Sequence, residues 1–337
     1  MSEWAMTYCG GRSPLGVDMD QSCLSALAGI SRFQDHPSAM EIPPDDRVYS
    51  AEPIVVSPLP WLHAELPGPD RLKMMILEVL TEWAERQQPN QLINMGVFWA
   101  FPELDEVTAS WGLNDMWLRS IWQTAGLPTP LTLQTVSEGR TGMFTLLESA
   151  LQWGTDHKAR LMIGGCDSYV DLARLDMLDM KSRLKSSRTQ DGFIPGEGVS
   201  LCIFERNGVG LCVTSVGSSD EPQPFRGPKP STGTGLTEAI RKVSQQEPPL
   251  AVWSDLNGES YFFHEWALAM LRALGSHDLR LEHPADCWGE LGAATGGFLL
   301  ALARICLKEQ GGWNLVWSTH EGSQRVALAV QLIEEEG

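Results

Sequence analysis

The stretch DGFIPGEGVSLCIFE (residues 191–205) decides how the rest of the chain is read. Its first eight residues hold Gly192, Gly196 and Gly198 around Pro195. Glycine permits backbone conformations and close approaches that a Cβ forbids, and proline excludes a helix interior. From Val199 the composition turns apolar, and VSLCIFE reads as a buried strand. A shaped loop feeds a strand that is buried on both faces.

Outward from this point, the pattern alternates. Towards the N-terminus lie RLMIGG (160–165), a buried strand ending in a glycine pair, and TPLTLQTVSEGRTGMFTLLESALQWG (129–154). The latter reads as a strand, a tight polar turn at Ser137-Glu138-Gly139-Arg140, and a helix with Met143, Phe144, Leu146, Leu147, Ala150 and Leu151 on one face. A strand–turn–helix elbow exposes one side chain at a helix N-terminus, where enzymes often place a nucleophile. Here the tip offers glycine and arginine. Earlier still are the strand QLINMGVFWAF (91–101), the amphipathic helix RLKMMILEVLTEWAERQ (71–87), an irregular proline-rich excursion over 39–69, a short helix in SCLSALAGISRF and the strand AMTYCGGRSPLG.

Towards the C-terminus, VSLCIFE and GLCVTSV read as two paired-looking strands, and GSSDEPQPFRGPKPSTGT (217–234) reads as a linker or long loop. The pattern then restarts: helix GLTEAIRKVSQQ, strand LAVWSDL, helix SYFFHEWALAMLRAL, turn GELGAATGG, helix FLLALARICLKEQ, and two strands in NLVWSTHEGSQRVALAVQLIE. Two rounds of alternating strands and helices imply a largely parallel α/β architecture of two similar halves, 1–225 and 226–337, forming one unit.

Composition bounds the function. The chain has 337 residues, 43% of them hydrophobic, enough for a large core. It has no long apolar run and no signal-peptide pattern, so neither a membrane span nor secretion is expected. Seven scattered cysteines show no C-x-x-C pair and no zinc spacing, which points to reduced, buried thiols in a cytoplasmic protein with no metal and no cofactor. A net charge of −18 argues against nucleic acid and disfavours an acidic acyl carrier protein as partner. One basic run, Lys181, Arg183, Lys185 and Arg188, reads as a solvated helix end. The thirteen tryptophans read mainly as core, with a few available to an interface.

DGFIPGEG resembles the DGFVPGEGAG-type signature of the β-ketoacyl synthases, a branch of the thiolase-fold superfamily. Other segments agree in order: SPLG and SALAGISRF with the opening strand and first helix, RLMIGGCDS with the strand before a glycine pair, and GELGAATGG with a GHxxGAAG helix start. The resemblance runs along nearly the whole chain. It implies a thiolase-like fold, five-layered αβαβα built from two related halves, and a dimer. The chain is shorter than ordinary condensing enzymes, between DGFIPGEG and LNGES and again after GAATGG, where that family covers its acyl pocket.

The family's chemistry needs a cysteine at the elbow and two histidines. Aligned by motif, the cysteine position holds Gly139, with Ser137 or Arg140 reached by a small slip. The first histidine position, an HGTxT-like motif, holds Asn257 in LNGESYFFHEW. The second falls at Gly289, or at Glu290 after a small shift. The expected lysine has no counterpart near Pro284, and the C-terminal glycine-rich turn is matched only by STHEGSQ, with Gly322 and Gln324. Catalysis by the family mechanism is therefore not expected.

The resemblance implies a non-catalytic protein acting through protein contacts, as a homodimer or paired with another thiolase-fold chain in the manner of chain-length-factor partners. Degenerate members also serve as accessory or adaptor proteins in bacteria. The alternative is an enzyme with repurposed acyl-thioester chemistry, using Glu138, Arg140, Asn257, Glu259, Ser260 and Glu290 at the former site. An open pocket there with a carboxylate of raised pKa would favour it. His264 reads as a packed histidine, and His320, in the C-terminal turn, as the histidine nearest the elbow.

Overall fold

Inner and outer faces alternate residue by residue along the central strands, and this alternation builds the layers. The computed structural model describes residues 4–41, 51–275, 277–310 and 312–333. The first set of elements is β1 (Trp4–Arg12), α1 (Met19–Leu27), β2 (Gln34–Met40), β3 (Pro53–Val56), α2 (Gly68–Glu85), β4 (Met95–Ala100), α3 (Asp115–Thr124), β5 (Thr132–Val136), α4 (Gly142–His157), β6 (Arg160–Ser168), α5 (Leu172–Met180) and β7 (Glu197–Arg206). The second set is β8 (Gly210–Asp220), α6 (Thr234–Val243), β9 (Ala251–Ser254), α7 (Ser260–Ala273), β10 (Arg280–Glu282), α8 (Ala285–Trp288), α9 (Thr295–Gln310), β11 (Trp313–Thr319) and β12 (Gln324–Ile333).

Ten strands run in the order β10-β9-β11-β12-β8-β1-β7-β6-β4-β5. The first five sheet strands in sequence and the last five adopt the same order. In each set the first strand pairs antiparallel with the fifth, the fifth antiparallel with the fourth, and the fourth, second and third run parallel. The sets meet where β1 pairs with β8 through Ala5–Cys212 and Met6–Leu211. By this order β8 opens the second set, whereas the expected division at 225/226 groups it with the first. The proline-rich linker begins only after β8 ends at Asp220.

On β7, Val199, Leu201 and Ile203 face a core shared with α2 and α3, while Cys202 and Phe204 face one shared with α4 and α9. On β12, Val326, Leu328 and Val330 join that same inner core, while Ala327 and Ala329 face α6 and α7. Period-two alternation thus places α4 and α9 between two sheet halves, with helices outside each. This is the αβαβα stack the sequence implies. Six tryptophans, Trp83, Trp99, Trp122, Trp253, Trp288 and Trp317, are fully buried. The proline-rich excursion holds the β2–β3 hairpin; its residues 42–50 lie outside the described residues. The helix α5 stops at Met180, before the basic run read as its end.

The segment 191–197 is a joint between motifs. The Asp191 carboxylate accepts from the Ser260 N–H (2.6 Å) and hydroxyl (2.8 Å) at the start of α7. The Glu290 N–H donates to Ile194 O (2.8 Å) and the Gly196 N–H to Glu290 O (3.0 Å). A Cβ on Gly196 would stand 2.7 Å from Trp288 O, so only glycine allows this approach. Glu197 is fully buried, and Arg71 binds it through Nε (2.7 Å) and Nη2 (2.8 Å). The remaining lone pairs of the carboxylate accept from the Leu59 N–H and the Ser168 hydroxyl, while Nη1 of Arg71 donates to His63 O.

Candidate functional site

At the elbow the chain leaves β5, makes a 3-10 turn over Gly139–Thr141 and enters α4. Gly139 has φ +50°, a left-handed conformation that disfavours other residues. Ser137 and Glu138 are half-buried in the turn, and Oε2 of Glu138 is a buried atom without a hydrogen-bond partner. Arg140 points inward and is 4% exposed. Its Nε lies 3.7 Å from Asp255 Oδ2, its Nη1 lies 3.6 Å from Glu290 Oε2, and its guanidinium stacks over Phe262 at 4.2 Å. Burial disfavours the charge, but Asp255 and Glu290 outweigh it and hold Arg140 protonated. The residue after the elbow glycine is thus engaged with Asp255, Glu290 and Phe262 of the second set of elements.

Asn257 and Glu290 are brought together across the site. Asn257 Nδ2 donates to Glu290 Oε2 (2.8 Å) and to Glu259 Oε2 (3.2 Å). The Gly292 N–H donates to Glu290 Oε1 (2.8 Å). Burial pushes the Glu290 carboxyl up to about 7, against the opposing pull of Arg140. Gly289, the other candidate for this position, has φ +77° and packs its backbone on Ile194. Glu290 is therefore the residue whose side chain faces Asn257, one position beyond the primary alignment. Glu259 is turned away to Arg183, which binds it through Nε (2.9 Å) and Nη2 (2.8 Å).

A second charged group surrounds the elbow. Glu103 packs against Gly139, and a Cβ there would stand 3.2 Å from the Glu103 Cβ. Burial, reinforced by Glu321, pushes Glu103 up to about 8. His320 Nε2 lies 3.3 Å from Glu103 Oε1, while its Nδ1 accepts from the Gly322 N–H (2.8 Å). With Nδ1 accepting, the neutral ring carries its proton on Nε2. Burial and Arg140 lower the affinity of His320 for a second proton. Burial opposes ionisation of Glu321 too, but Arg183 and Arg140 hold that carboxyl below its ordinary value. A cavity of about 90 Å³ lies beside this group, lined by Glu103, Tyr169, Arg174, Arg183, Arg226 and Glu321.

Of the basic run read as a solvated helix end, Lys185 is exposed as expected, and the other three cations pair with carboxylates. Arg183 is buried on Glu259 and Glu321, Arg188 pairs with Glu41, and Lys181 pairs with Glu106. Sequence reasoning missed this ionic framework because its partners are far apart in the chain, 76 residues for Arg183–Glu259 and 115 for Arg140–Asp255. Ser260 serves the α7 start on Asp191 rather than the elbow. Met143 and Trp288 lie in the central core. Among the described residues, no group of three or more His, Cys, Asp or Glu could hold a metal ion, and no helix is long and apolar enough to cross a membrane.

No family model and no curated protein matches the chain. Solved structures do. A ketosynthase domain of oxazolomycin biosynthesis, OzmH KS7 from Streptomyces albus JA3453, superposes over 100% of this chain and 75% of its own at TM-score 0.78 and 13% identity. The fold is that of the ketosynthases. The complex of the ketosynthase ApeO with its chain length factor ApeC from Xenorhabdus doucetiae matches over 98% of both chains (TM-score 0.73, 13% identity). The ishigamide ketosynthase/chain length factor matches over 98% of this chain and 100% of that one (TM-score 0.71, 17% identity). At these identities the likeness carries the thiolase-like architecture. Within that ketosynthase fold, the chemistry of the elbow has to be argued from Gly139, Arg140, Asn257 and Glu290 themselves.

Proposed function

We propose that this chain is a non-catalytic thiolase-fold subunit that acts by binding another thiolase-fold chain. One observation carries the reading: the elbow tip is Gly139, which has no side chain, and the next residue, Arg140, is held inward by Asp255, Glu290 and Phe262. Covalent acyl transfer needs a nucleophile, and the elbow tip offers none. Asn257 and Glu290 satisfy each other and the start of the next helix. Two of the similar structures pair a ketosynthase with a chain length factor, which makes a heterodimer the preferred arrangement over a homodimer. A free sheet edge, β5, with Leu131 and Met116 exposed beside it, offers a surface for such pairing.

The raised carboxyl of Glu290 favours the second reading, acid–base chemistry on a thioester, and the engagement of that carboxyl by Asn257, the Gly292 N–H and Arg140 stands against it. Incubation with acyl and malonyl thioesters separates the two. Intact-mass measurement is expected to show no covalent acyl adduct and no decarboxylation, in the native chain and in Gly139→Cys alike. Stoichiometric acylation or turnover of the native chain overturns the proposal. Purification from the native host is expected to recover a second thiolase-fold chain at equal stoichiometry.

A further inference from the structure

We propose that Cys9 and Cys202 form a peroxide-sensitive dithiol that closes to a disulfide between β1 and β7. The two residues are direct partners in the antiparallel register of these strands, and their sulfurs lie 3.1 Å apart. A disulfide bond is about 2.05 Å long, so closure requires a movement of about 1 Å in side chains already facing each other. Three other thiols have non-thiol acceptors: Cys23 on Met19 Sδ, Cys166 on Leu72 O and Cys287 on Ala26 O.

Access to the pair is asymmetric. Cys202 is fully buried, whereas Cys9 is half-buried and lines a surface pocket of about 270 Å³ with Tyr8, Met19, Arg86 and Arg304. Cys9 is the more exposed partner and borders the pocket, so an oxidant entering there meets Cys9 first, and a sulfenic acid formed on it has a resolving thiol beside it. Burial pushes the Cys202 thiol up, and Arg304 works in the opposite sense by favouring its thiolate. Nε of Arg304 is buried without a hydrogen-bond partner.

The chemistry balances with hydrogen peroxide as oxidant. The Cys9 thiolate attacks one peroxide oxygen, the O–O bond breaks, and the departing hydroxide takes up the thiol proton as water. Cys9 is left as a sulfenic acid. The Cys202 sulfur then attacks Cys9 sulfur, the S–O bond breaks, and a second water leaves with the Cys202 proton. Two thiols lose two electrons and one peroxide becomes two waters. The reduced Cys9 thiol donates to Gly297 O (3.6 Å) in the first turn of α9; the disulfide has no proton for that bond. Oxidation is thereby felt by the helix that begins beside Glu290.

The test treats the full-length folded chain with hydrogen peroxide and maps it by non-reducing peptide mass spectrometry. Two of the seven thiols are expected to disappear, with one linked peptide pair joining Cys9 to Cys202 and full recovery on reduction. In Cys202→Ser, Cys9 is expected to be trapped by dimedone as its sulfenic acid. In Cys9→Ser, the remaining thiols are expected to stay unmodified at the same dose. Linkage of Cys9 to Cys23, absence of any link in the native chain, or a link that forms only in denaturant overturns the proposal, whether or not the variants fold.

Discussion

At Gly139 the chain leaves β5 with φ +50°, makes one 3-10 turn and enters the sixteen-residue α4; at Gly292 it turns with φ +53° and enters the sixteen-residue α9. Both elbows follow the third strand of their set and feed the central helical layer. Their surroundings differ. A Cβ on Gly292 would stand 1.9 Å from Asp167 Oδ2, which also accepts the Ala293 N–H (3.0 Å). At Gly139 the nearest atom would be Glu103 Cβ, 3.2 Å away. The second elbow is sealed by a carboxylate against its backbone. The first has Glu103 at a looser distance, and beside it Arg140 reaches across to Asp255 and Glu290 of the other half.

If that contrast is right, Arg140→Ala does the most damage. It leaves Asp255 and Glu290 buried without their cation, and a loss of about 3–5 kcal/mol is expected in urea unfolding. A loss near zero would mean that Arg140 does not tie the first elbow to the other half. The next effect is a pH dependence. An ordinary glutamate loses its proton near 4.5, and folded Glu290 does so near 7. Between these values the folded state binds the extra proton. Stability therefore falls as pH rises through this window, by up to about 1.4 kcal/mol per unit, and the loss is complete above pH 7. Glu103 acts with the same sign. Glu290→Gln is expected to flatten the thermal-midpoint profile between pH 5 and 7 relative to the native chain, and an unchanged slope would refute the assignment.

A direct comparison of Gly292→Ala with Gly139→Ala sharpens the difference between the elbows. Both incur a left-handed backbone cost of about 1–2 kcal/mol. Only Gly292→Ala also overpacks Asp167, so it is expected to lose about 1–3 kcal/mol more. Equal losses would show the elbows to be alike. The smallest effect is at Gln324, whose Oε1 accepts the hydroxyls of Thr141 and Thr145, both at 3.2 Å, at the start of α4. Each hydroxyl also reaches a backbone carbonyl, Glu138 O or Thr141 O. Gln324→Ala is therefore expected to cost about 1 kcal/mol or less in unfolding free energy.

Much of the architecture was legible along the chain. The strands around VSLCIFE, RLMIGG and NLVWST, and the helices of 71–87 and 298–310, are periodic over lengths that packing does not override. The elbow at 137–142 was readable because a strand pattern stops at a glycine and a helical one begins. The start of the second set was less readable: β8 carries the same apolar pattern as β7, and only its pairing with β12 assigns it. Choosing between Gly289 and Glu290 was equally beyond spacing, because a one-residue shift leaves the GAATGG match intact while changing which side chain meets Asn257.

The sequence by itself determined the alternation, the two-round order and the glycines at the sharp turns. These depend on local periodicity and on residue identity, which neighbours along the chain express. Only the tertiary structure decided that Arg140 is buried on Asp255 and Glu290, that Arg183 is buried rather than solvated, that Glu290 holds its proton towards neutral pH, and that Cys9 faces Cys202. Each of these depends on burial and on a partner tens to hundreds of residues away, and a charge or a thiol acquires its chemistry from what surrounds it.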